Sequence, residues 1–240
     1  MVFKNLNESK SSFADIFKFY KRIAEQYTDH EILEYVQKSL PDPIIKSYLN
    51  HQSLIPLLYW FKNDFMKWMP KELQCSSCKL KMGVQVIKGD SMILRKTEVY
   101  SCYKFGSSIL FPRYIKILKI AESKIGRCSE WSILFGAILN SLSIPTRIVY
   151  DFLDHCWNES LINNKWIHLD STLQYPISFN HPFYYEKNWG KEYEYVLAFS
   201  FNRIHDVTRY YTKNWNKVKK RRKEKEKDKT GILTNIYSRI

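Results

Sequence analysis

An apolar helix followed at once by β-prone segments is the feature that most constrains how this chain can fold. Its apolar side chains recur at positions i, i+3, i+4, i+7 and i+11, namely Trp131, Leu134, Phe135, Ile138 and Leu142. That spacing predicts a helix with one continuously buried face. Pro145 ends the helix, and the β-branched and aromatic run 146–152 predicts a strand directly after it. A helix packed on a sheet in this order indicates an α+β core.

A tight hairpin is predicted after that strand. Asn163 and Asn164, which readily adopt left-handed conformations, separate two β-prone runs. Counting outward from a two-residue turn places Trp157 opposite Asp170. His155 shares a face with Trp157 because strand side chains alternate, so His155 becomes a diagonal neighbour of Asp170 at about 7–8 Å between backbone positions.

Cys128 directly precedes the apolar helix. The positive end of a helix and its free amide groups favour a thiolate, and can lower a cysteine pKa from about 8.5 to roughly 3.5–7.5, particularly beside a protonated histidine. The same amides suit a developing oxyanion. Each residue has a simpler interpretation when taken singly: Cys128 as a core cysteine, His155 as a hydrogen-bonded polar residue and Asp170 as a turn cap. The order and setting of Cys128, His155 and Asp170 favour a thiol catalytic triad instead.

Composition indicates a folded protein of a reducing compartment. The chain has 240 residues and is 45% hydrophobic, which excludes a mainly disordered protein. Its first residues lack the apolar run of a signal peptide, and the apolar stretch 54–61 is too short to span a bilayer. The five cysteines, an odd number, argue against a disulfide framework. We therefore expect a cytoplasmic or nuclear protein.

The net charge of +14 is concentrated near one end. Residues 213–229 carry ten Lys or Arg and three acidic residues, which supplies +7, half of the total. Any attraction to polyanions would lie there. Since no nucleic-acid recognition motif accompanies the run, we interpret it as a solvated, partly helical tail and do not expect nucleic-acid binding.

The patterns divide the chain into four parts: an N-terminal helical region 1–70, a small β lobe 71–110, the core 111–212 and the basic tail 213–240. Two helical regions are predicted before the lobe, the second reaching from residue 44 to 68. The lobe contains the pair Cys75-x-x-Cys78, short β-prone runs and turn chemistry at Gly89-Asp90.

Several motifs in this order resemble the cytoplasmic peptide:N-glycanases of the transglutaminase-like (papain-like) superfamily, in their compact fungal form. They are FPRY (111–114), GRCSEW (126–131), DHCW (154–157), WIHLD (166–170) and DVT (206–208), with LLYWFK (57–62) and FMKW (65–68) upstream. The resemblance covers about residues 54–210. It implies a transglutaminase-like core, N-terminal helices and a zinc-ribbon-like lobe.

The resemblance also implies a reaction, the removal of N-glycans from misfolded glycoproteins with conversion of asparagine to aspartate. Cys128 would attack the amide carbonyl, His155 would act as base and then as acid, and Asp170 would orient His155. Trp68, Trp157 and Trp189 match tryptophans of the substrate cleft, although ordinary core packing explains each about equally well. Fungal relatives further imply a ubiquitin-like proteasomal shuttle protein as a partner of the terminal segments.

The chain departs from the family pattern at the metal site. The family binds zinc through two Cys-x-x-Cys pairs, whereas the second pair here reads Cys102-Tyr-Lys-Phe105. Phenylalanine is no ligand, and structural zinc prefers four. We therefore expect weak or absent zinc at Cys75, Cys78 and Cys102.

Three smaller departures concern the cleft and its surroundings. Leu173 stands where an acidic residue usually contacts GlcNAc, and Ser129 replaces a usual glycine beside the nucleophile. Cys156 follows His155, so strand alternation should turn it into the core.

Two other functions stay open on the residues alone. A catalytically silent transglutaminase-fold module could bind nucleic acid or a proteasomal shuttle protein. A cysteine protease or a transglutaminase could use the same three residues on other amides. The intact triad argues against the first alternative, and the tryptophans together with the motif set favour the glycan amide over the second.

Overall fold

The computed structural model describes residues 13–51, 53–89 and 93–227. Four helices open the described chain: α1 (Phe13–Gln26), α2 (His30–Lys38), α3 (Asp42–His51) and α4 (Ile55–Trp60). Helices are thus present before the lobe from Phe13 onward, while residues 1–12 lie outside the described part. The second predicted helical segment, 44–68, ends earlier than predicted. A π-helical turn, Phe61–Phe65, closes α4, and Trp68 lies in the short strand β1 (Lys67–Trp68).

The small lobe is a three-stranded antiparallel sheet in the order β2-β3-β4. Its strands are β2 (Gly83–Lys88), β3 (Leu94–Ser101) and β4 (Ser108–Tyr114), so the sheet continues past the predicted lobe boundary at residue 110. Strand β2 is exposed along its whole length. The lobe has a small buried apolar cluster of its own: Met69, Cys75, Met82, Tyr100, Cys102 and Phe111. The predicted Gly89-Asp90 turn falls partly outside the described residues.

The chain then returns to the core through α5 (Ile117–Ser123), β5 (Ile125–Gly126) and α6 (Cys128–Ser141). β5 pairs in parallel with β1, and Trp68 is the partner of Gly126. These two strands have two residues each, so no period-2 pattern in the sequence could indicate them. Their pairing places Trp68 beside the start of α6.

The core sheet has five strands in the order β10-β9-β6-β7-β8. The strands are β6 (Thr146–Tyr150), β7 (Cys156–Ile162), β8 (Lys165–Leu169), β9 (Leu197–Phe199) and β10 (Ile204–Asp206). The predicted hairpin is confirmed: Ile162 pairs with Lys165, and both turn asparagines have positive φ, 48° and 60°. Strand β10 was not predicted.

Helix α6 is the centre of the hydrophobic core, between the sheet and the N-terminal helices. Its predicted apolar face is buried at Trp131, Leu134, Phe135 and Ile138, and only Leu142 is partly exposed. A side chain at Gly136 would place its Cβ 2.3 Å from the Tyr27 hydroxyl oxygen, so only glycine permits this close approach. The sequence therefore predicted the buried helix correctly.

Three short helices complete the described chain, α7 (Tyr184–Asn188), α8 (Thr208–Tyr211) and α9 (Trp215–Lys227). The described part of the tail is helical, as predicted, but α9 is docked on the core rather than wholly solvated. Val218 is fully buried, while Arg221 and Arg222 donate to the carbonyls of Tyr193 and Glu194. Within the described ranges, no helix is both long and apolar enough to cross a membrane.

Candidate active site

Cys128 is the first residue of α6. The preceding Gly126 lies so close to Glu130 that an added Cβ would fall 2.3 Å from the Glu130 Cβ. This approach lets the Glu130 carboxylate accept the Arg127 backbone N–H at 3.0 Å. Amide groups in the first turn of a helix have no carbonyl partner within the helix. The local sequence thus forms a tight helix start with Cys128 at its positive end.

His155 stands at the entrance to β7 and is positioned by a turn. The backbone N–H groups of Leu153 and His155 both donate to Asp151 Oδ1, at 2.8 and 3.0 Å. Phe152 and Asp154 have positive φ, 58° and 66°, and Lys191 forms an ion pair with the other Asp151 oxygen at 2.9 Å. Asp151 therefore holds the turn that delivers His155.

Asp170 follows β8 and meets His155 across the hairpin. The His155 Nε2 to Asp170 Oδ2 distance is 2.8 Å. Asp170 Oδ1 accepts the backbone N–H and the hydroxyl of Thr172 at 2.9 and 2.6 Å, and Oδ2 also accepts the Tyr185 hydroxyl at 2.7 Å. Since Nε2 is bonded to the carboxylate, Nδ1 is the ring nitrogen left for Cys128. One ring nitrogen is thus held by the carboxylate and the other is left to exchange a proton with the nucleophile, which is the division of roles in a catalytic triad.

Hydrogen bonds and neighbouring charges set the protonation states of Cys128, His155 and Asp170. Hydrogen bonding with Cys156, joined by hydrogen bonding and attraction from His155, outweighs burial and lowers the pKa of Cys128 to about 5. Burial lowers the pKa of His155, but the Asp170 charge and its hydrogen bond outweigh burial and raise that pKa to about 10. Burial alone would raise the pKa of Asp170, but the His155 charge and the hydrogen bonds from His155 and Thr172 outweigh burial and hold that pKa far below its usual range. A thiolate–imidazolium pair beside an ionised carboxylate is thus the stable state at neutral pH.

Cys156 takes part in this arrangement, which the sequence did not indicate. It is buried in the core, as predicted, and its sulfur lies 3.9 Å from the Ser129 hydroxyl. Burial and the interaction with Cys128 raise the pKa of Cys156, which keeps it a neutral thiol, and its S–H donates to the Ser129 hydroxyl. Strand alternation predicted the burial but not this contact, because the start of α6 packs on the face of β7 that Cys156 occupies.

The three predicted cleft tryptophans differ in exposure. Trp189 is 43% exposed and meets the His155 ring edge-on at 5.0 Å, while Trp68 is 49% exposed and contacts Trp131 at 6.0 Å. Trp157 is fully buried, and its indole N–H donates to Tyr211 at 2.8 Å. Trp157 therefore offers neither a free face nor a free donor to substrate in this structure. Its predicted place on the cleft surface is not supported, because its side of the hairpin is covered by α7 and α8.

Arg127 links the nucleophile to the small lobe, another feature that sequence reasoning missed. Its guanidinium donates to both carboxylate oxygens of Glu98, at 3.0 and 2.7 Å, and to the Tyr100 hydroxyl at 2.7 Å. Arg113 joins Glu98 to Glu130 in the same network. Although Arg127 stands in the GRCSEW motif, its buried partners are 27 and 29 residues away, and no local pattern reveals them.

The lobe brings Cys75, Cys78 and Cys102 together, with their sulfur atoms all within 4.8 Å of one another, so this cluster could hold a metal ion. The turn that follows Cys75 and the turn that follows Cys102 have the same backbone hydrogen bond. Lys79 N donates to Cys75 O and Gly106 N to Cys102 O, both at 2.8 Å, and both donor residues have positive φ.

The repeat identifies Phe105 as the counterpart of Cys78, as the sequence predicted. The Phe105 side chain is 57% exposed. Three ligands of a tetrahedral thiolate site are therefore present within the described chain, and the fourth position belongs to a residue that cannot coordinate. Leu173, the other predicted departure, packs against the apolar cluster around Trp157 and supplies no carboxylate.

Comparison with known proteins places these geometries in a family context. The sequence matches the family model of the transglutaminase-like superfamily over residues 93–171. It is 28% identical to a peptide-N(4)-(N-acetyl-beta-glucosaminyl)asparagine amidase of Yarrowia lipolytica, over 98% of this chain and 71% of that protein. Proteins of the same name match from Caenorhabditis briggsae, 28% identical over 98% of this chain, and Saccharomyces cerevisiae, 36% identical over 65% of it. The chain spans 40% and 45% of those two relatives.

Solved structures agree with the fold. A structure of the Rad4/XPC nucleotide excision repair complex, described for the role of its β-hairpin motifs in DNA duplex opening, superposes with a TM-score of 0.55. It is 15% identical and covers 88% of this chain and 50% of that chain. At this identity the likeness concerns the fold alone. The α+β architecture agrees with this likeness, and the transglutaminase-like assignment of the core rests on the family model matched over residues 93–171.

Proposed function

Because the chain belongs to the peptide:N-glycanase family of the transglutaminase-like superfamily, we propose that it hydrolyses the amide between an asparagine side chain and the first GlcNAc of an N-glycan. The observation that carries the proposal is the junction of Cys128 at a helix N-terminus with His155, itself bonded to Asp170 at 2.8 Å. Substrates would be misfolded glycoproteins, and the site of action the cytoplasm or nucleus.

The reaction follows from the resting charges. The Cys128 thiolate attacks the side-chain amide carbonyl carbon, and the carbonyl oxygen becomes an oxyanion beside the free amides at the start of α6. As the C–N bond breaks, the His155 imidazolium protonates the departing glycosylamine nitrogen. The resulting thioester is hydrolysed by a water whose proton returns to His155. The products are a peptide with aspartate in place of asparagine, a glycosylamine and the free thiolate.

Two exposed indoles supply apolar surface for the sugar. Trp68 lies beside the start of α6, and Trp189 contacts the His155 ring, so the pair flanks the reacting residues from two elements. Aromatic faces of this kind suit the apolar faces of GlcNAc. Since Leu173 replaces a carboxylate there, we propose that GlcNAc is held mainly by stacking.

A glycan-release assay tests the proposal. The protein is incubated under reducing conditions with a denatured high-mannose glycoprotein, next to Cys128→Ala and to Ser141→Ala. Ser141 lies at the far end of the same helix, about 20 Å away. We expect release of glycan and a new aspartate from the parent and from Ser141→Ala, and neither from Cys128→Ala. Absence of release by the parent protein contradicts the proposal.

A silent module that binds nucleic acid is the second candidate. Its support is the basic helix α9, although two of the arginines there are occupied by backbone carbonyls. A module without catalysis has no need of a thiolate, an imidazolium and a fully bonded aspartate in contact. The same assay decides between the candidates, because salt-sensitive DNA binding without glycan release favours the silent module.

Zinc is proposed as the ion of the lobe, bound by Cys75, Cys78 and Cys102. Hydrogen bonds from the backbone of Cys78 and Ser77 lower the pKa of Cys75 to about 6, which favours the thiolate that zinc prefers. A ligand from solvent would complete the tetrahedron. With three protein ligands we expect weaker retention than in a closed four-thiolate site.

A ubiquitin-like proteasomal shuttle protein is proposed as a partner of the N-terminal helices. Helix α3 has no buried residue, and it carries Leu49 with most of its side chain exposed, while Tyr35 and Tyr59 are exposed on neighbouring helices. Apolar side chains of this kind are the usual anchors of an interface. Co-elution of the purified shuttle protein with the parent, and its loss with Leu49→Asp, is the expected result.

A further inference from the structure

We infer that Tyr185 and His168 are positioning residues for Asp170, forming a hydrogen-bond relay that ends on the carboxylate behind the nucleophile. The inference rests on the proposed function, since it concerns the same triad. Tyr185 lies on α7 and His168 on β8, so the relay connects Asp170 to two separate elements. All three residues are buried.

The His181 backbone N–H, at the end of the relay farthest from Asp170, determines which atom donates in each hydrogen bond. The His181 backbone N–H can only donate, and it points to His168 Nδ1 at 3.3 Å. A neutral His168 therefore carries its hydrogen on Nε2, which donates to the Tyr185 oxygen at 2.7 Å. The single Tyr185 hydrogen is then committed to Asp170 Oδ2, also at 2.7 Å. Burial keeps His168 neutral, since it lowers the His168 pKa to about 4.

Tyr185 thus shares one carboxylate oxygen with His155. Its ring also meets the His155 ring at 5.1 Å and the Trp189 ring at 5.1 Å. A tyrosine bonded in this way stabilises the negative charge of Asp170 and fixes the carboxylate plane against which His155 is aligned. Thr172 bonds only the other oxygen and lies two residues away. Among the described residues, Tyr185 and His155 are therefore the two hydrogen-bond donors that fix the position of Asp170 Oδ2.

A purely structural role and a positioning role predict different effects on the Cys128 thiol. The ionised triad, with Asp170 and Cys128 negative and His155 positive, has a net charge of −1. A hydrogen bond donated into this cluster stabilises that charge, so removing the bond makes proton uptake easier. Loss of the Tyr185 hydroxyl must then raise the pH at which the Cys128 thiolate is protonated. A merely structural contact would leave that pH unchanged.

The test is the pH dependence of iodoacetamide alkylation, read by mass spectrometry on the peptide that contains Cys128. In Tyr185→Phe we expect the Cys128 midpoint to rise by a fraction of a pH unit, less than the roughly one unit by which a hydrogen bond changes the pKa of the carboxylate that accepts it. On glycopeptide, kcat should fall about 10- to 100-fold with KM nearly unchanged. Tyr193→Phe is the matched control, because Tyr193 is a buried member of the same aromatic cluster and its hydroxyl has no hydrogen-bond partner among the described residues.

Two variants of His168 extend the test. Glutamine retains a donor near the Nε2 position, so His168→Gln should keep the parent midpoint, whereas His168→Leu should shift it in the same direction as Tyr185→Phe but by less, because the Tyr185 hydroxyl remains. A midpoint that is the same in Tyr185→Phe as in Tyr193→Phe overturns the inference. Alkylation needs no glycoprotein, so this outcome is separate from a failure of the parent to release glycan, which would count against the proposed function alone.

Discussion

The core and the lobe each bring reactive side chains together, but only in the core does every one of these side chains have its expected partner. In the core, Asp170 accepts bonds from His155, Thr172 and Tyr185, and His155 in turn contacts Cys128. In the lobe, three thiols converge, and the fourth turn position is held by Phe105. The chain thus has a fully hydrogen-bonded candidate triad next to a cysteine cluster with three of the four ligands of a tetrahedral site.

The difference shows which interactions the lobe depends on. Its attachment to the core includes two buried ion pairs across the boundary, Glu98 with Arg127 and Arg113 with Glu130. Arg127 is the residue directly before Cys128. The lobe can therefore support the nucleophile through this ion network even when metal binding is weak, and the comparison leads to four tests of decreasing effect.

The largest expected effect is in the core. Asp170→Asn preserves the shape of the side chain but removes its negative charge and replaces one of its two acceptor oxygens by an NH2 donor, so His155 loses its orientation and kcat should fall about 10³- to 10⁴-fold. Glycopeptide turnover is the measurement, with circular dichroism to show that the fold is retained. Activity within tenfold of the parent would mean that Asp170 does not orient the base.

The second effect concerns the boundary between core and lobe. Glu98→Ala leaves the buried Arg127 without its carboxylate partner, while Arg113 keeps Glu130, and should lower the free energy of unfolding by about 3–5 kcal/mol in urea titrations. Glu72→Ala is the matched control, since the Glu72–Lys81 ion pair is exposed and should contribute less than about 1 kcal/mol. Equal effects of the two substitutions would show that the buried network does not hold the lobe.

The third effect is the pH dependence of the nucleophile. The thiolate is lost as the pH falls through the Cys128 pKa of about 5, and the imidazolium is lost as the pH rises through the His155 pKa of about 10. Alkylation of Cys128 should therefore be flat near neutrality and about tenfold slower at pH 4. A midpoint near that of a free cysteine, about 8.5, would contradict the ion pair.

The smallest effect is expected from metal removal. A chelator should strip the lobe of the parent protein and lower the free energy of unfolding by less than about 1 kcal/mol, since the site lacks its fourth ligand. Phe105→Cys restores that ligand on a turn whose backbone already matches the first one, so this variant should retain zinc against the same chelator. Zinc content by mass spectrometry decides, and tight retention by the parent would contradict an incomplete site.

Much of the site was predictable because its signals are local. The apolar spacing after Cys128 predicted α6, and the Asn163-Asn164 turn predicted the pairing that brings His155 to Asp170. Sequence patterns were misleading where a residue's hydrogen-bond partner comes from a distant part of the chain. Trp157 has the sequence setting of a cleft residue, but Tyr211, far along the chain, binds its indole and buries it.

By itself, the sequence determined the class of the fold, the candidate nucleophile with its base and aspartate, and the gap in the metal site, because periodicity, turn chemistry and ligand type act over short stretches. The tertiary structure alone decided which groups surround them: Tyr185 on Asp170, Cys156 on Cys128, and Glu98 on Arg127. Each of these contacts joins different structural elements and depends on burial, and burial is a property of how the elements pack rather than of any single segment.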